Sequence, residues 1–122
     1  VFSSNEAHIY HKMDRTQWIR VITNLLQNAL HSVSKKKKPQ IGVQIVSEPT
    51  ETIISITDNG SGIPDKLKSK IFEPKFTTKT AGMGLGLGIV KNIIKSHSGK
   101  ISFVSTQDKG TTFSIVLPKK LD

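Results

Sequence analysis

The chain has no cysteine, which excludes a disulfide scaffold, a thiolate-bound zinc and a cysteine nucleophile. No apolar run approaches the ~18 residues needed to span a bilayer, and the first residues lack the apolar stretch of a secretory signal. This stretch is therefore not expected to enter or touch a membrane. Aromatic residues are scarce and scattered (five Phe, one Trp, one Tyr), so they supply no base-stacking platform. Acidic residues are also scarce, 9 against 18 Lys+Arg, leaving a formal net charge of +9. Such a balance attracts nucleic acid, an anionic surface or a phosphorylated ligand without choosing among them. The densest cluster, Lys35 to Lys38 before Pro39, reads as the solvated end of a helix, where cations are favoured and proline stops the chain. What remains is a chain of 122 residues, 35% of them hydrophobic. That length suits one domain, residues 1–122, burying roughly two-thirds of its unfolded surface. Because it opens at Val1 without a Met, it is read as a piece of a longer protein.

Apolar residues at Trp18, Ile22, Leu25, Leu26, Ala29 and Val33 follow three-and-four spacing, which predicts an amphipathic helix from Thr16 to Val33. Asp14 and Gln17 supply its N-cap and capping-box partner. Alternation around Ile41, Val43 and Ile45 and again from Thr52 to Asp58 predicts a hairpin closed by Ser47 to Glu51. A second helix is predicted from Leu85 to His97, with Ile89, Val90, Ile93 and Ile94 buried and Gly99 as its stop. Strands from Lys100 to Ser105 and Thr111 to Leu117 follow, separated by a turn at Gln107 to Gly110, with Phe113, Ile115 and Leu117 on one face. Strand pairs interleaved with helices argue for an α+β two-layer sandwich: a mixed, mostly antiparallel sheet covered on one face by helices.

Three places carry chemistry. Asp58 shares parity with Ile54 and Ile56, so its carboxylate points to the buried side, and Asn59-Gly60-Ser61-Gly62 after it forms a turn that lets a ligand approach the backbone. It either caps its own turn or accepts a hydrogen bond from a ligand. Asn24 and Asn28 lie one turn apart on the first helix, where Asn is disfavoured, and either bond within the protein or offer amide oxygens to Mg²⁺. Gly82-Met83-Gly84-Leu85-Gly86-Leu87-Gly88 runs into the second helix, either as a hinge or as bare N–H groups at a helix start that favour phosphate. It matches neither the dinucleotide fingerprint nor the G-x-x-x-x-G-K-[ST] loop.

In order, Asn24-x-x-x-Asn28, Asp58-x-Gly60-x-Gly62, Phe72-Glu73-Pro74-Lys75-Phe76, Gly82-x-Gly84-x-Gly86 and Gly110-Thr111-Thr112-Phe113 resemble the N, G1, F, G2 and G3 boxes of the ATP-binding catalytic domain of sensor histidine kinases. The wider superfamily includes gyrase, heat-shock chaperone and mismatch-repair ATPases, and its fold is the Bergerat type. The resemblance runs from about Asp14 to Pro118, and Phe-Glu-Pro with the short glycine run is similar to the kinase branch.

The resemblance implies that Asp58 accepts the adenine amine, Asn28 binds Mg²⁺, and Thr111 reaches adenine through water. Asn24 stands where the chaperone branch has a water-activating Glu, and an amide is no general base. Gly60, Gly62 and Ile63 would line the nucleotide, while Phe72, Thr78, Lys79, Gly82, Met83, Gly84, Leu85, Gly86 and Leu87 would form a lid over the phosphates. Two departures stand out: Lys75 replaces a frequent aromatic, and His31 a frequent phosphate-binding Lys. None of His8, His11, His31 or His97 precedes Asp or Glu, so the phosphoacceptor histidine is expected on a separate helical-hairpin domain, with a response regulator downstream. The expected location is cytoplasmic, within a parent that is membrane-anchored or free. A serine kinase of anti-sigma type and a basic nucleic-acid-binding module are the alternative readings.

Overall fold

The computed structural model describes residues 2–4, 15–73 and 87–119. Its elements are β1 (Phe2–Ser4), α1 (Arg15–Ser32), β2 (Ile41–Ser47), β3 (Glu51–Asp58), a 3-10 turn (Asp65–Leu67), α2 (Leu87–Ser96), β4 (Lys100–Thr106) and β5 (Gly110–Pro118). The strands form one five-stranded sheet in the order β1-β2-β3-β5-β4. Only the β1–β2 pair is parallel, so the sheet is mixed and mostly antiparallel, as the patterning predicts. The short β1, aligned with Val43 to Ile45, has too few residues for an alternation to show and is an addition to the sequence reading.

Register and alternation divide the sheet into two faces. Ile54 and Ile56 of β3 pair with Ile45 and Val43 of β2 and with Ile115 and Phe113 of β5; Ile101 and Phe103 of β4 extend the same row. This row packs under α1 and α2 and forms, with Val21, Leu25, Leu87, Val90 and Ile94, a single hydrophobic core. On the opposite face Thr57 and Thr112 share a hydroxyl hydrogen bond of 3.0 Å.

Both helices differ in detail from the sequence reading. α1 begins and ends one residue earlier than predicted, and Asp14 lies outside the described residues. Its buried stripe is Val21, Leu25, Asn28 and Ser32 with Ala29, while Trp18, Ile22 and Leu26 pack on its flank half-buried. Two of the positions facing the sheet are polar, so apolarity alone rotates the inferred face away from its true centre. In α2, Ile89 is 44% exposed instead of buried, because Leu87, Val90 and Ile94 already fill the inward arc. The described helix starts at Leu87 and ends at Ser96, inside the predicted span. Its left-handed end residue is Ser98 (φ 62°), not Gly99. Gly99 is required for space instead: its N–H donates to the Ile94 carbonyl at 2.9 Å, and a Cβ there would press on Leu117 and the Val116 carbonyl.

Ile115, 1% exposed on the interior strand β5, should carry full core weight. Ile115→Ala is expected to cost about 2–5 kcal/mol in urea unfolding, whereas Val104→Ala on the solvent face should change stability by under about 0.5 kcal/mol.

Candidate functional site

At the C-terminal end of β3 the alternation that buries Ile54 and Ile56 carries Asp58 to the same face, 7% exposed. Its Oδ1 accepts the Gly60 N–H at 2.8 Å and the Ser32 hydroxyl at 3.2 Å. Burial pushes the Asp58 pKa above 3.8, and hydrogen bonds from the Gly60 amide, the Ser32 hydroxyl and the Thr111 backbone oppose the rise. The sequence expectation of a buried carboxylate in need of donors is met.

The loop after Asp58 is clamped from two sides. Ser61 N–H donates to the Ser32 carbonyl at 3.2 Å, and Asp108 N–H donates to the Ser61 carbonyl at 2.7 Å. A Cβ on Gly60 would overlap Ser32, and one on Gly62 (φ 73°) would overlap the Thr106 carbonyl. The close approach that these glycines permit is thus to the end of α1 and to the β4–β5 turn. Asn59 adds a third tie, accepting the Gln40 N–H at 2.8 Å and donating to the Lys38 carbonyl at 2.9 Å. Asp58 and Asn59 also border a cleft of about 640 Å³ whose walls include Gly42, Thr57 and Lys109.

Thr111 pairs with Asp58 across the β3–β5 ladder and is buried beside it. Its hydroxyl lies 2.8 Å from Ser105 Oγ, which accepts the Ile63 N–H at 2.7 Å. Ser32 and Ser105 were not singled out by the sequence reading. Their signal was a polar residue at a position that periodicity assigns to the buried face, Ser32 one turn after Asn28 and Ser105 in parity with Ile101 and Phe103.

Asn28 faces the same interior from α1, 5% exposed, and its Nδ2 has no hydrogen-bond partner among the described residues. Asn24, one turn earlier, is half-buried, and His31 is exposed. Ile63 and Leu87 are fully buried members of the core. Phe72 is half-buried and stacks edge-on against Phe103 (5.8 Å) and Phe113 (6.4 Å), with Lys91 Nζ 5.5 Å from its ring centre. Lys75, Thr78, Lys79, Gly82, Met83, Gly84, Leu85 and Gly86 lie outside the described residues.

Among the described residues no group of three or more His, Cys, Asp or Glu is placed to hold a metal ion. A metal carried mainly by phosphates needs little from the protein, and Mg²⁺ is commonly bound through one or two protein oxygens with the rest from phosphate and water. Asn28 offers an amide oxygen, a neutral ligand of that kind, whereas its unpartnered Nδ2 can only donate hydrogen bonds.

A buried carboxylate and threonine at one sheet end, with a buried asparagine on the covering helix, coincide with a match to known proteins. Residues 13–121 match the family described as histidine kinase-, DNA gyrase B-, and HSP90-like ATPase. The chain belongs to this family. Within it, the chain is similar to the sensor histidine kinase ZraS of Salmonella typhimurium, 41% identical over 119 residues, covering 96% of this chain and 25% of ZraS. The catalytic domain of the histidine kinase ThkA has the same fold, with a TM-score of 0.83 at 35% identity over 97% of this chain and 78% of that one. ThkA solved in complex with the response regulator TrrA matches with a TM-score of 0.76 at 32% identity, over 98% of this chain and 33% of that one. The chain thus has the catalytic-domain fold of histidine kinases and spans about a quarter of the length of ZraS.

The pH dependence of this ATPase-family domain should reveal Asp58. A carboxyl whose folded pKa is raised stabilises the fold fully below its ordinary value of 3.8, and that contribution is lost as pH rises through the raised value. From pH 3 to pH 7, wild type should therefore lose stability relative to Asp58→Asn in paired urea titrations. A gap that moves the other way would mean that the hydrogen bonds outweigh burial.

Proposed function

We propose that residues 1–122 are the single ATP-binding catalytic domain of a longer sensor histidine kinase, and that it presents Mg-ATP to a histidine on a separate helical-hairpin domain. The observation that carries the reading is the Asp58–Thr111 pair, a buried carboxylate next to a buried hydroxyl across two neighbouring strands. An ionised carboxylate accepts hydrogen bonds and donates none, which selects an amine such as that of adenine over a carbonyl. Family membership supports ATP as the nucleotide, and the naming of the relatives as sensor histidine kinases supports histidine over serine as the acceptor.

Phosphoryl transfer asks a protein mainly for positioning and for neutralising charge. Asp58, Gly60, Gly62, Ile63 and Thr111 are assigned to the base end. Asn24, Asn28, His31, Phe72, Thr78, Lys79, Gly82, Met83, Gly84, Leu85, Gly86 and Leu87 are assigned to the phosphate end and its cover. Asn28 would hold Mg²⁺, which when bound neutralises phosphate charge. Asn24 has no basic lone pair at neutral pH, so it does not activate water, and the phosphoryl group is kept for the incoming imidazole. The ThkA–TrrA complex supports a response regulator as the downstream partner. No helix among the described residues is long and apolar enough to cross a membrane.

Calorimetric titration tests this directly. The chain should bind ATP saturably and GTP far more weakly at the same salt concentration, and Mg²⁺ should tighten ATP. Asp58→Asn should weaken ATP by about ten-fold or more, since a hydrogen bond to a charged group contributes about 1.5–3 kcal/mol. Asn28→Ala should remove the Mg²⁺ enhancement while leaving metal-free binding in place. Equal binding of ATP and GTP, or loss of both on raising salt, would instead favour a basic surface that binds polyanions.

A further inference from the structure

We propose that Ser105 is a positioning residue that sets base selectivity, by committing the Thr111 hydroxyl proton and leaving Thr111 as an acceptor beside Asp58. The inference rests on the adenine-binding reading above and adds to it the residue that polarises the site.

Ser105 lies on β4, 7% exposed, on the helix-covered face of the sheet. Its hydroxyl has three partners: the Ile63 N–H at 2.7 Å, the Gly110 carbonyl at 3.2 Å and Thr111 Oγ1 at 2.8 Å. The first can only donate and the second can only accept. A serine hydroxyl has one proton, and all three contacts are hydrogen bonds together only if that proton goes to the Gly110 carbonyl. The short contact with Thr111 is then a hydrogen bond only when Thr111 donates. With its single proton committed to Ser105, Thr111 offers any further partner lone pairs alone.

Asp58 is the cross-strand partner of Thr111 on the same face, where side chains of paired residues are neighbours. An ionised carboxylate and an acceptor-only hydroxyl therefore stand side by side. A ligand edge with two N–H donors, an exocyclic amine, satisfies both directly or through a water. A carbonyl at the same position meets lone pairs on both sides. Were Ser105 absent, the Thr111 hydroxyl would be free to turn and donate to that carbonyl, and the discrimination would weaken. Ser105 is itself fixed in place, since its carbonyl accepts from Lys68 Nζ at 2.7 Å and Lys68 pairs with Asp65 at 2.8 Å.

ATP and ITP differ at this edge, amine against carbonyl, and serve as the probes. Both are titrated by calorimetry into wild type, Ser105→Ala and Ser105→Thr, with urea unfolding to establish that each variant is folded. Wild type should prefer ATP. Ser105→Ala should lose about ten-fold of that preference, the size of one hydrogen bond, chiefly by binding ITP more tightly. Ser105→Thr keeps the hydroxyl and should keep the ratio. If the alanine variant does not fold, Ser105→Cys, similar in shape but a weak hydrogen-bonding group, should show the same fall. A purely structural serine would lower both affinities together and leave the ratio unchanged, which overturns this inference alone. Wild type that binds ATP and ITP alike, or neither, overturns the adenine reading and this inference with it.

Discussion

The fold is organised around one costly act, the burial of the Asp58 carboxylate among the isoleucines of β3. A carboxylate withdrawn from water needs donors on the spot, and no single element supplies enough of them. The Gly60 amide comes from the loop, the Ser32 hydroxyl from the end of α1, and the Thr111 backbone from β5. Each donor fixes a constraint on the chain. Gly60 must lack a side chain because Ser32 occupies that space, and α1 must end at the sheet edge for its hydroxyl to arrive there. The strand order does the rest: β5 lies between β3 and β4, which brings Thr111 opposite Asp58 and Ser105 next to Thr111.

The apolar core allows this polar end to exist. Ile54, Ile56, Phe113, Ile115 and Leu117 line one face beneath the helices, and burial of such side chains contributes about 1.5–3 kcal/mol each. That contribution tolerates a site whose ionised carboxylate works against stability. The same division explains the surface. Asn59 and Lys36 tie the backbone of the Lys35–Lys38 segment and the Asp108 turn to the sheet end, while the side chains of Lys35, Lys37 and Lys38 are exposed. The lysine run is held by Asn59 and by the Lys36 ammonium, and its other charges stay in solvent.

What could be read in the sequence follows from which forces act locally. Alternation placed β2 to β5 within two residues, and parity alone put Asp58 on the buried side, because a strand has only two faces. Helical faces were less legible. Asn28 and Ser32 lie inward on α1, so a scale that equates inward with apolar turns the helix slightly wrongly, and the exposed Ile89 misleads in the opposite sense. The β1 pairing was invisible because a three-residue parallel strand depends on its partner and not on its own pattern. Ser105 was missed for a different reason. Its importance lies in the number of groups that converge on it, and convergence is a property of topology that spacing along the chain does not record.

The site is set before any ligand arrives. Gly60 and Ser32 hold one oxygen of Asp58, Ile63 and Gly110 hold the Ser105 hydroxyl, and Lys68 holds the Ser105 carbonyl. Groups fixed in this way lose little freedom on binding, so their hydrogen bonds discriminate between partners instead of compensating for their own ordering. Asn28 is the exception, a buried amide whose N–H is unmatched among the described residues. The Asp58 end is therefore held by groups of the protein, whereas the Asn28 end is short of a partner among the described residues. A ligand that brings oxygen atoms to Asn28 relieves that deficit, and under the proposed function a nucleotide would do so while offering its base amine to Asp58.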